Sequence, residues 1–488
     1  VTLWPIRIED ARYLGTAAAV QNLGIPDVAR LRAGIQLRLR TTGDIPFSAL
    51  DVDSLVFYLL GSDSIPFDLY EQIIGDQVGA AVAPTSGRST GVRLLGGDAI
   101  HQVGVEPGES LIPYGPRSFD GYRLLQEYFA CPHRFLFFRV DGLKRALQGH
   151  DDTTVDLVIL LDRSDPELEK LLTRNNFALN CTPAANLFNK RTDRVQISDR
   201  FSEYHVVVDR TRPMDYEIFS VDRVTGFGKA ADDTREFRPF YSLKNGHSHD
   251  TSGYYVLHRV PRLLSSAQRR KGPRSSYIGT EVYLSLVDAK EVPFDPDLSE
   301  LGVETLCTNR DLPIQIALGQ GPTDFTWDTA APLTSVRVLT GPTRPRAAAP
   351  EGESSWRLIN HLQLNYLSLL DSDNGAQALR EMLFLYCGPE DAEHQRMVND
   401  GILSIDYRAV NRRIPIPGPI AFGRGIAIDL TLEESAFEGS GAFLLGAVLE
   451  RFFAKYVSVN HFSETRVVSS KRGEIMKWPT RVGTRKLA

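Results

Sequence analysis

Two closely spaced histidines are the first residues in this sequence that could hold a metal ion. On an extended backbone, His247 and His249 would point their imidazoles the same way, next to Asp250. A third ligand would have to come from His205 or His258. Because the surrounding segment is polar and loop-like, we interpret it as a solvated hairpin tip and predict no metal there.

The segment Asp371-Ser-Asp-Asn-Gly375 has the spacing with which a calcium-binding loop begins. Such a loop needs an oxygen ligand at its fifth position and a bidentate glutamate at its twelfth. Those positions hold Gly375 and Met382. A polar turn between two helices is the better interpretation.

The cluster Gly439-Ser-Gly441 lies between a strand pattern and a helix pattern, where a dinucleotide site would place its glycines. The next glycine, Gly446, comes two positions too late for that fingerprint. We therefore interpret the cluster as the turn that begins a helix, and we predict no cofactor.

Catalytic motifs are missing from the sequence: it has no G-x-S-x-G, no H-E-x-x-H and no P-loop. We predict no catalytic residue. Two alternatives stay open from the residues alone, namely a hydrolase on a β-rich scaffold with a carboxylate pair, and a small-ligand binding module.

Two groups of residues are candidates for contact with a partner. The first is a cationic stretch without acids, in which a solvated loop is the competing interpretation. The second is a set of large apolar residues on a predicted helix, which core packing would explain equally well. The candidate residues are Arg269, Arg270, Lys271 and Arg274 in the first group, and Phe443, Leu444, Phe452 and Phe453 in the second.

The patterns that must position these residues predict an α+β, β-rich, multidomain chain. Residues 1–195 mix strand and helix patterns and are predicted as a mixed α/β domain. Residues 196–345 show short strand patterns separated by turns and are predicted as an antiparallel β-sandwich or barrel-like module. Residues 346–488 are predicted as an α+β domain.

The middle and final domains are predicted to contain the following elements. The strand patterns of the middle domain are Tyr204–Val208, Tyr216–Val224, Tyr254–Val260, Tyr277–Val287, Ile314–Leu318 and Val336–Leu339. The linker Gly341–Ser355, rich in proline and glycine, is our candidate hinge. The final domain contains helix patterns at Trp356–Leu370, Ala376–Tyr386 and Phe443–Val457.

The composition of the 488 residues is that of a globular protein, with 42% hydrophobic and 24% charged residues. The net charge of −6 argues against a dedicated nucleic-acid binder, and we predict no nucleic-acid partner. The longest strongly apolar run, Ala442–Leu449, is far shorter than the ~20 residues that span a bilayer, so we predict no direct membrane insertion.

Several strings in the sequence resemble the TssF family, also called ImpG or VasA, whose members are baseplate subunits of the bacterial type VI secretion system. They run from the first third of the chain to its C-terminus. The strings are Leu111–Phe129, Ala178–Phe188, Asp215–Asp222, Arg269–Ser276, Leu306–Pro313, Phe422–Gly425, Gly441–Phe453 and Glu474–Pro479.

The resemblance implies a structural protein that is not an enzyme. It implies partners as well: TssG, with two TssF copies to one TssG, together with TssK, TssE and the VgrG spike. Such wedges seed polymerisation of the contractile sheath and reach the inner membrane indirectly, through the membrane complex, so the implied location is cytoplasmic. The resemblance also implies a further, mainly helical N-terminal region upstream of this sequence.

Overall fold

The chain is described here from a computed structural model. It describes residues 2–483 except 86–90, 116–118, 199, 230–232, 241–252, 264–265, 267–269, 271–273, 289–297, 329–330, 347–355, 357–374, 389–390, 415–420, 438 and 459–460. Four features of the sequence therefore lie wholly or mostly outside the described residues. They are the pair His247 and His249, the Asp371–Gly375 turn, the second half of the linker Gly341–Ser355 and the helix pattern Trp356–Leu370.

The described residues form two compact units. The first combines Val1–Ala184 with Glu353–Ala488, and the second is Ala185–Gly352. The junction near residue 352 falls inside the predicted linker, but the division differs from the predicted one, which placed residues 1–195 and 346–488 in separate domains. The physical reason is a shared core. For example, the ring centroids of Phe119 and Phe452 lie 6.3 Å apart, and the Tyr128 hydroxyl lies 3.5 Å from Met397 Sδ.

Strands make up most of the regular structure. In chain order they are β1 (Ile6–Leu14), β2 (Ala33–Thr41), β3 (Ser54–Leu59), β4 (Gln77–Pro84), β5 (Arg93–Leu95), β6 (Ile100–Gln102), β7 (Phe137–Asp141), β8 (Thr154–Leu161), β9 (Phe177–Leu179), β10 (Phe188–Arg191), β11 (Val195–Gln196), β12 (Tyr204–Val206), β13 (Glu217–Gly228), β14 (Thr234–Pro239), β15 (Gly253–Pro261), β16 (Thr280–Asp288), β17 (Leu298–Thr308), β18 (Ile402–Ile414), β19 (Ala421–Leu432), β20 (His461–Ser469), β21 (Gly473–Lys477) and β22 (Arg481–Val482).

The α-helices whose bounds the structure gives lie in the first unit. They are α1 (Ala17–Gln21), α2 (Ile65–Gly75), α3 (Asp120–Ala130), α4 (Leu143–Leu147), α5 (Pro166–Leu171), α6 (Gly375–Phe384), α7 (Ala392–Gly401) and α8 (Ala442–Tyr456). Short 3₁₀ helices occur in both units, at Phe47–Ala49, Pro107–Glu109, Pro132–Phe135, Arg174–Asn176, Leu312–Gln315 and Glu434–Ala436.

Three sheets build the first unit. Their strand orders are β1-β2-β8-β4-β5, then β6-β7-β3-β9, and β18-β19-β20-β21 with β22 paired to β20. The middle strand of the first sheet, β8, reads as a nearly continuous apolar run because both of its faces are covered. Val155, Leu157 and Ile159 belong to the main core, whereas Val158 and Leu160 pack against a second cluster on the other face.

Helix α8 is the centre of the first unit. Twelve of its fifteen residues are buried, as expected for a helix that is apolar all round, and it contacts α2, α3 and β20. Its N-cap is Gly441, with φ of 69°. A Cβ at Gly441 would lie 2.9 Å from Cβ of Phe67, so the close approach to α2 favours glycine there. The cluster Gly439-Ser-Gly441 is thus the turn that begins a helix.

The second unit contains one sheet, with the strand order β10-β17-β13-β14-β15-β16-β12 and β11 paired to β17. Its core is small: thirteen buried hydrophobic side chains form the cluster, among them Phe237, Leu284 and Leu301. The pair β14–β15 is parallel, and the other strand pairs of this sheet are antiparallel.

The structure confirms the α+β, β-rich fold class, and four of the six predicted strand patterns of the middle module correspond to β12, β13, β15 and β16. Two patterns were interpreted wrongly. Ile314–Leu318 begins in a 3₁₀ helix, and Val336–Leu339 is irregular, held by bonds from the backbone N–H groups of Val336 and Val338 to the side chains of Thr323 and Asp324. Short apolar runs do not distinguish a strand from a loop that is anchored by side chains.

Candidate partner-binding site

Four segments that are distant in sequence meet at one end of the second unit's sheet. β13 begins beside the end of β17, where Glu217 pairs with Thr308, and β16 begins at Thr280, opposite Pro261 of β15. The loops next to these strand ends therefore converge. Their side chains form a network that we call the arginine–carboxylate cluster, and its members are Asp215, Glu217, Arg274, Arg310 and Asp311.

Arg274 holds two of these loops together. Its Nη2 and Nε donate to Asp311 Oδ1 and Oδ2 at 2.6 and 3.1 Å, and its Nη1 donates to Asp215 Oδ1 at 2.8 Å. Ser275 Oγ donates to the same Asp311 carboxylate at 2.5 Å. The bond from Arg274 lowers the pKa of Asp311 to about 2. A bidentate pair of this kind fixes the angle between loops as well as their distance.

Arg310 joins the same loops from inside. It is buried, and its φ of 56° places it in the left-handed region. Its Nη2 donates to the Ile278 carbonyl at 2.7 Å and its Nη1 to the Met214 carbonyl at 3.2 Å. Burial lowers the pKa of Arg310, because desolvation disfavours its charged form.

Glu217 anchors the beginning of β16. One of its oxygens accepts bonds from the backbone N–H and the hydroxyl of Thr280, both at 2.7 Å, and the other accepts from the Tyr277 hydroxyl at 2.6 Å. Burial and the Glu217 carboxylate both raise the pKa of Tyr277. A Cβ at Gly279 would lie 2.8 Å from Glu217 Oε2, and the φ of that residue is +72°, so this turn favours glycine.

Four large apolar side chains lie exposed at this end of the sheet, three of them on segments that the cluster holds and one, Leu263, next to Arg262. Leu263 is 82% exposed, and Ile278, Ile314 and Ile316 are each 42% exposed. We call these four residues the apolar rim. Arg310 holds the backbone at Ile278, and Ile314 and Ile316 follow directly after Asp311. Exposed apolar groups on a fixed backbone are suited to binding another surface, because little conformational freedom is lost on contact.

A cavity of about 170 Å³ opens next to the rim, and Leu263, Val206 and Val282 are among the residues that line it. Arg262 lies at its wall and donates to Glu281 at 3.0 Å and to the Pro213 carbonyl at 3.0 Å. Ligand pockets generally exceed about 300 Å³. This cavity is therefore better suited to a single side chain of a partner than to a metabolite.

A second charged cluster lies in the first unit and contains a carboxylate with an altered pKa. Burial raises the pKa of Asp76 to about 6. Its Oδ2 lies 2.8 Å from Arg163 Nε, and the neighbouring Glu71 accepts bonds from Arg163 and Arg472 at 2.9 and 2.7 Å. Both carboxylates are engaged by guanidinium groups, so this cluster serves as an ionic bridge between the N-terminal and C-terminal segments.

Metal ligands do not gather in the part of the chain that the structure describes. Among those residues, no group of three or more His, Cys, Asp or Glu side chains is placed to hold a metal ion. The four cysteines are free thiols, and Cys307 is the buried one. No helix among the described residues combines the length and apolarity needed to cross a bilayer.

Comparisons with known proteins identify the family. The family model described as "Type VI secretion system, TssF" matches residues 1–485. The chain belongs to the TssF family. A curated relative, the type VI secretion system component TssF1 of Pseudomonas aeruginosa, is 45% identical over 486 residues, which are 99% of this chain and 78% of the relative.

A solved structure has the TssF-like fold seen here. It is a chain of the cryo-electron microscopy structure of the type VI secretion system TssK-TssF-TssG baseplate subcomplex, with a TM-score of 0.71 and 22% identity. The match covers all of this chain and 84% of that chain. At this identity the likeness shows a shared fold.

The residues of the arginine–carboxylate cluster lie in strings that resemble the TssF family. Asp215 and Glu217 come from the string Asp215–Asp222, Arg274 from Arg269–Ser276, and Arg310 and Asp311 from Leu306–Pro313. A fourth string, Ala178–Phe188, reaches the same end of the sheet through Asn186, which accepts a bond from the Asn309 backbone at 2.6 Å. Strings that lie far apart in sequence thus meet at the same end of this sheet.

The structure separates the predicted contact residues into four groups. Arg274 is bound internally by the cluster and is not a free cation, whereas Arg270 is exposed. Arg269 and Lys271 lie outside the described residues. The prediction of a contact surface on α8 needs correction, because the side chains of Phe443, Leu444, Phe452 and Phe453 are at most 1% exposed and pack in the core of the first unit.

Sequence reasoning missed the apolar rim. The sequence predicts a strand at Ile314 and Ile316, and it does not single out Leu263. One signal was available: Asn309-Arg-Asp-Leu-Pro313 is a polar turn followed by proline, which favours a short helical turn over a strand.

Proposed function

We propose that this TssF-family chain is a structural subunit of a type VI secretion baseplate and that it performs no catalysis. The observation that carries the proposal is the family match over residues 1–485. The similar solved chain comes from a baseplate subcomplex with TssK and TssG, which supports the same conclusion. The geometry agrees, since the charged clusters of both units bind internal partners and the apolar rim faces solvent.

We propose TssG and TssK as its direct partners, and a second copy of this chain, TssE and the VgrG spike as further members of the same wedge. In this arrangement two copies bind one TssG, and the completed wedges seed sheath polymerisation. The proposed location is the cytoplasmic side of the inner membrane, which the wedge reaches through the membrane complex.

The second unit is the better supported contact surface for these partners. Nineteen large hydrophobic side chains are exposed among the described residues, and eleven of them lie in the second unit, which is the smaller one. Stable interfaces bury roughly 800 Å² per partner, with an apolar centre and a polar rim. Leu263 and the three isoleucines of the apolar rim supply such a centre, and the arginine–carboxylate cluster keeps it in place.

Co-expression with TssG and TssK from the same organism tests the proposal. The test variant replaces Leu263, Ile314 and Ile316 by serine. Its matched control replaces Leu94 and Leu171, which are 48% and 51% exposed in the first unit. We expect the test variant to fold but to bind at least about 30-fold more weakly, because residues at an interface centre contribute most of its affinity.

The outcomes separate the site from the subunit assignment. If the wild-type chain forms no complex with either TssG or TssK, the baseplate proposal is wrong. If the wild type forms a complex and the rim variant binds equally well, the site is wrong while the subunit assignment stands. Thermal unfolding of both variants verifies that they fold.

A further inference from the structure

The hairpin of β18 and β19 extends beyond the sheet to which it belongs. Among the described residues, β19 pairs with β20 from Arg424 onward, since β20 begins at His461. In the part of the chain that the structure describes, the outer end of the hairpin is a ribbon of two strands. Gly425 lies at its base, where a Cβ would come 2.4 Å from the ring of Phe462, and the buried Phe462 fixes the ribbon to the sheet.

One face of this ribbon continues the core-facing side of the sheet into solvent. Paired residues of antiparallel strands share a face, and the face alternates along each strand. Buried Ile405 and Leu430 belong to the core-facing side. Following the register outward from this pair, the same face carries Arg413, Phe422 and Arg424. We call these three residues the Phe422 patch.

The Phe422 side chain is 75% exposed although it lies on a strand, where regular backbone structure fixes its position. Phe422 pairs with Arg413 in the register, and Arg424 is two residues further along the same strand. Neither arginine makes an ion pair with any residue that the structure describes. An aromatic side chain flanked by arginines that have no ion-pair partner among the described residues has the composition of an interface centre.

The opposite face of the hairpin contrasts with the patch. There Arg408 donates to Asp429 at 3.2 Å, and Arg412 donates to Glu464 at 3.4 Å. Arg466 and Lys477 extend this ladder of alternating charges across β20 and β21. The cations of that face are neutralised within the chain, so the uncompensated positive charge of the ribbon lies on the side of Phe422.

The sequence of the outer part of the hairpin supplies positive charge without acidic residues to balance it. From Tyr407 to Ile428 the chain has four arginines and neither aspartate nor glutamate. Planar guanidinium groups bind carboxylates through two parallel bonds, so arginines on both sides of an aromatic ring select a partner with carboxylates around an apolar recess. Because the three side chains lie on one face of the ribbon, the patch fits a surface that packs against the sheet.

We propose that the Phe422 patch is a docking site for a partner protein of the baseplate that presents an apolar recess bordered by aspartate or glutamate. Phe422 fills the recess, and Arg413 and Arg424 pair with the carboxylates. The proposal rests on the baseplate function proposed above, and it adds a contact on the first unit that is independent of the apolar rim.

Site-specific photo-crosslinking tests the contact directly. The photoreactive residue p-benzoyl-phenylalanine replaces Phe422 in the full chain, which is co-expressed with TssG, TssK and TssE. The control position is Leu403, an exposed residue of β18, the other strand of the hairpin. We expect a crosslink from position 422 to a peptide of one of these proteins that contains two or more acidic residues. Crosslinking to lipid, to a peptide without acidic residues, or to no baseplate protein would overturn the proposal.

Binding measurements supply the second arm. We expect Phe422→Ser, and the double variant Arg413→Glu with Arg424→Glu, each to weaken binding of the crosslinked partner by at least ~10-fold at low salt, and the loss to shrink as salt rises for the double variant. The matched control is Arg93→Glu, which reverses the charge of an exposed side chain in the first unit, and it should bind like wild type. Unchanged binding by both patch variants would overturn this proposal alone, whereas failure of the wild type to assemble would overturn the baseplate function.

Discussion

The two units of this chain use their apolar side chains differently. Of the twelve largest fully buried side chains that the structure describes, eleven lie in the first unit and only Phe237 lies in the second. Most of the exposed large hydrophobic side chains among the described residues lie instead in the second unit. A unit with one sheet and a small core depends more on charged cross-links between loops, and it leaves apolar area available for partners.

Buried ion pairs show the same contrast. In the first unit, Glu127 is fully buried and accepts bonds from Arg123 and Arg134, while its other oxygen accepts the backbone N–H groups of Leu111 and Ile112. In the second unit, the Arg274–Asp311 pair is partly buried, whereas pairs such as Arg191 with Glu304 lie in solvent. The first unit is therefore expected to lose more stability than the second when one partner of a buried pair is replaced.

The largest effect is expected from Phe452→Ala. This side chain is fully buried, and its loss should destabilise the first unit by about 3–5 kcal/mol. Hydrogen exchange resolved by peptide should show lost protection in both segments of the first unit and none in the second. Phe422→Ala, the same change at an exposed position, is the control. Loss confined to residues 353–488 would show that the two segments do not share one core.

The next largest effect is expected from Glu127→Gln, with a cost of roughly 3 kcal/mol, because buried Arg134 loses its counter-charge and buried Arg123 keeps only Asp120. The control is Glu304→Gln, which removes an exposed pair and should cost less than about 1 kcal/mol. Urea unfolding of both variants measures the difference. Equal midpoints would mean that the buried network contributes no more than a surface pair.

A smaller effect is expected from pH, with opposite signs in the two units. The pKa of Asp76 is raised to about 6, so its folded form holds the proton more tightly and the first unit loses stability as pH rises from about 4 to 6. The pKa of Asp311 is lowered to about 2, so its contribution is complete above about pH 4 and is lost as pH falls toward 2.

Two substitutions isolate these contributions. Relative to wild type, Asp76→Asn should become less destabilising between pH 4 and 7, by roughly 2–3 kcal/mol. Asp311→Asn should be most destabilising above pH 4 and converge on wild type in acid. Hydrogen exchange at several pH values, read separately for each unit, checks both slopes. If the stability of both units changed in the same direction with pH, the predicted difference between them would be wrong.

Much of the fold could be predicted from local pattern. The continuous apolar run of β8, the helical spacing of α2 and the apolar stretch of α8 each determine an element by themselves. The shared core could not be predicted, because it depends on contacts between residues about 300 positions apart, such as Phe119 with Phe452. A helix that is apolar on every side indicates burial without indicating the neighbours that bury it.

The candidate sites were less predictable for a related reason. The sequence predicts Arg274 as a partner contact, but in the fold it binds Asp215 and Asp311, which the strand register brings beside it. The Phe422 patch could have been found from the acid-free stretch between Tyr407 and Ile428. The placement of Arg413, Phe422 and Arg424 on one face could not have been predicted, because it depends on the register of β18 and β19.

The core shared by the two ends of the chain also constrains synthesis. Side chains between residues 379 and 478 complete a core that begins at residue 6. At about 5–20 residues per second, the ribosome needs roughly 15–60 s to deliver the later part after the earlier part has emerged. During that interval the nascent N-terminal sheets have uncovered apolar faces, and the second unit is completed before the residues that cover them are synthesised. Chaperone demand should therefore be concentrated on the N-terminal segment, and a truncation near the C-terminus should deprive residues far upstream of their packing partners.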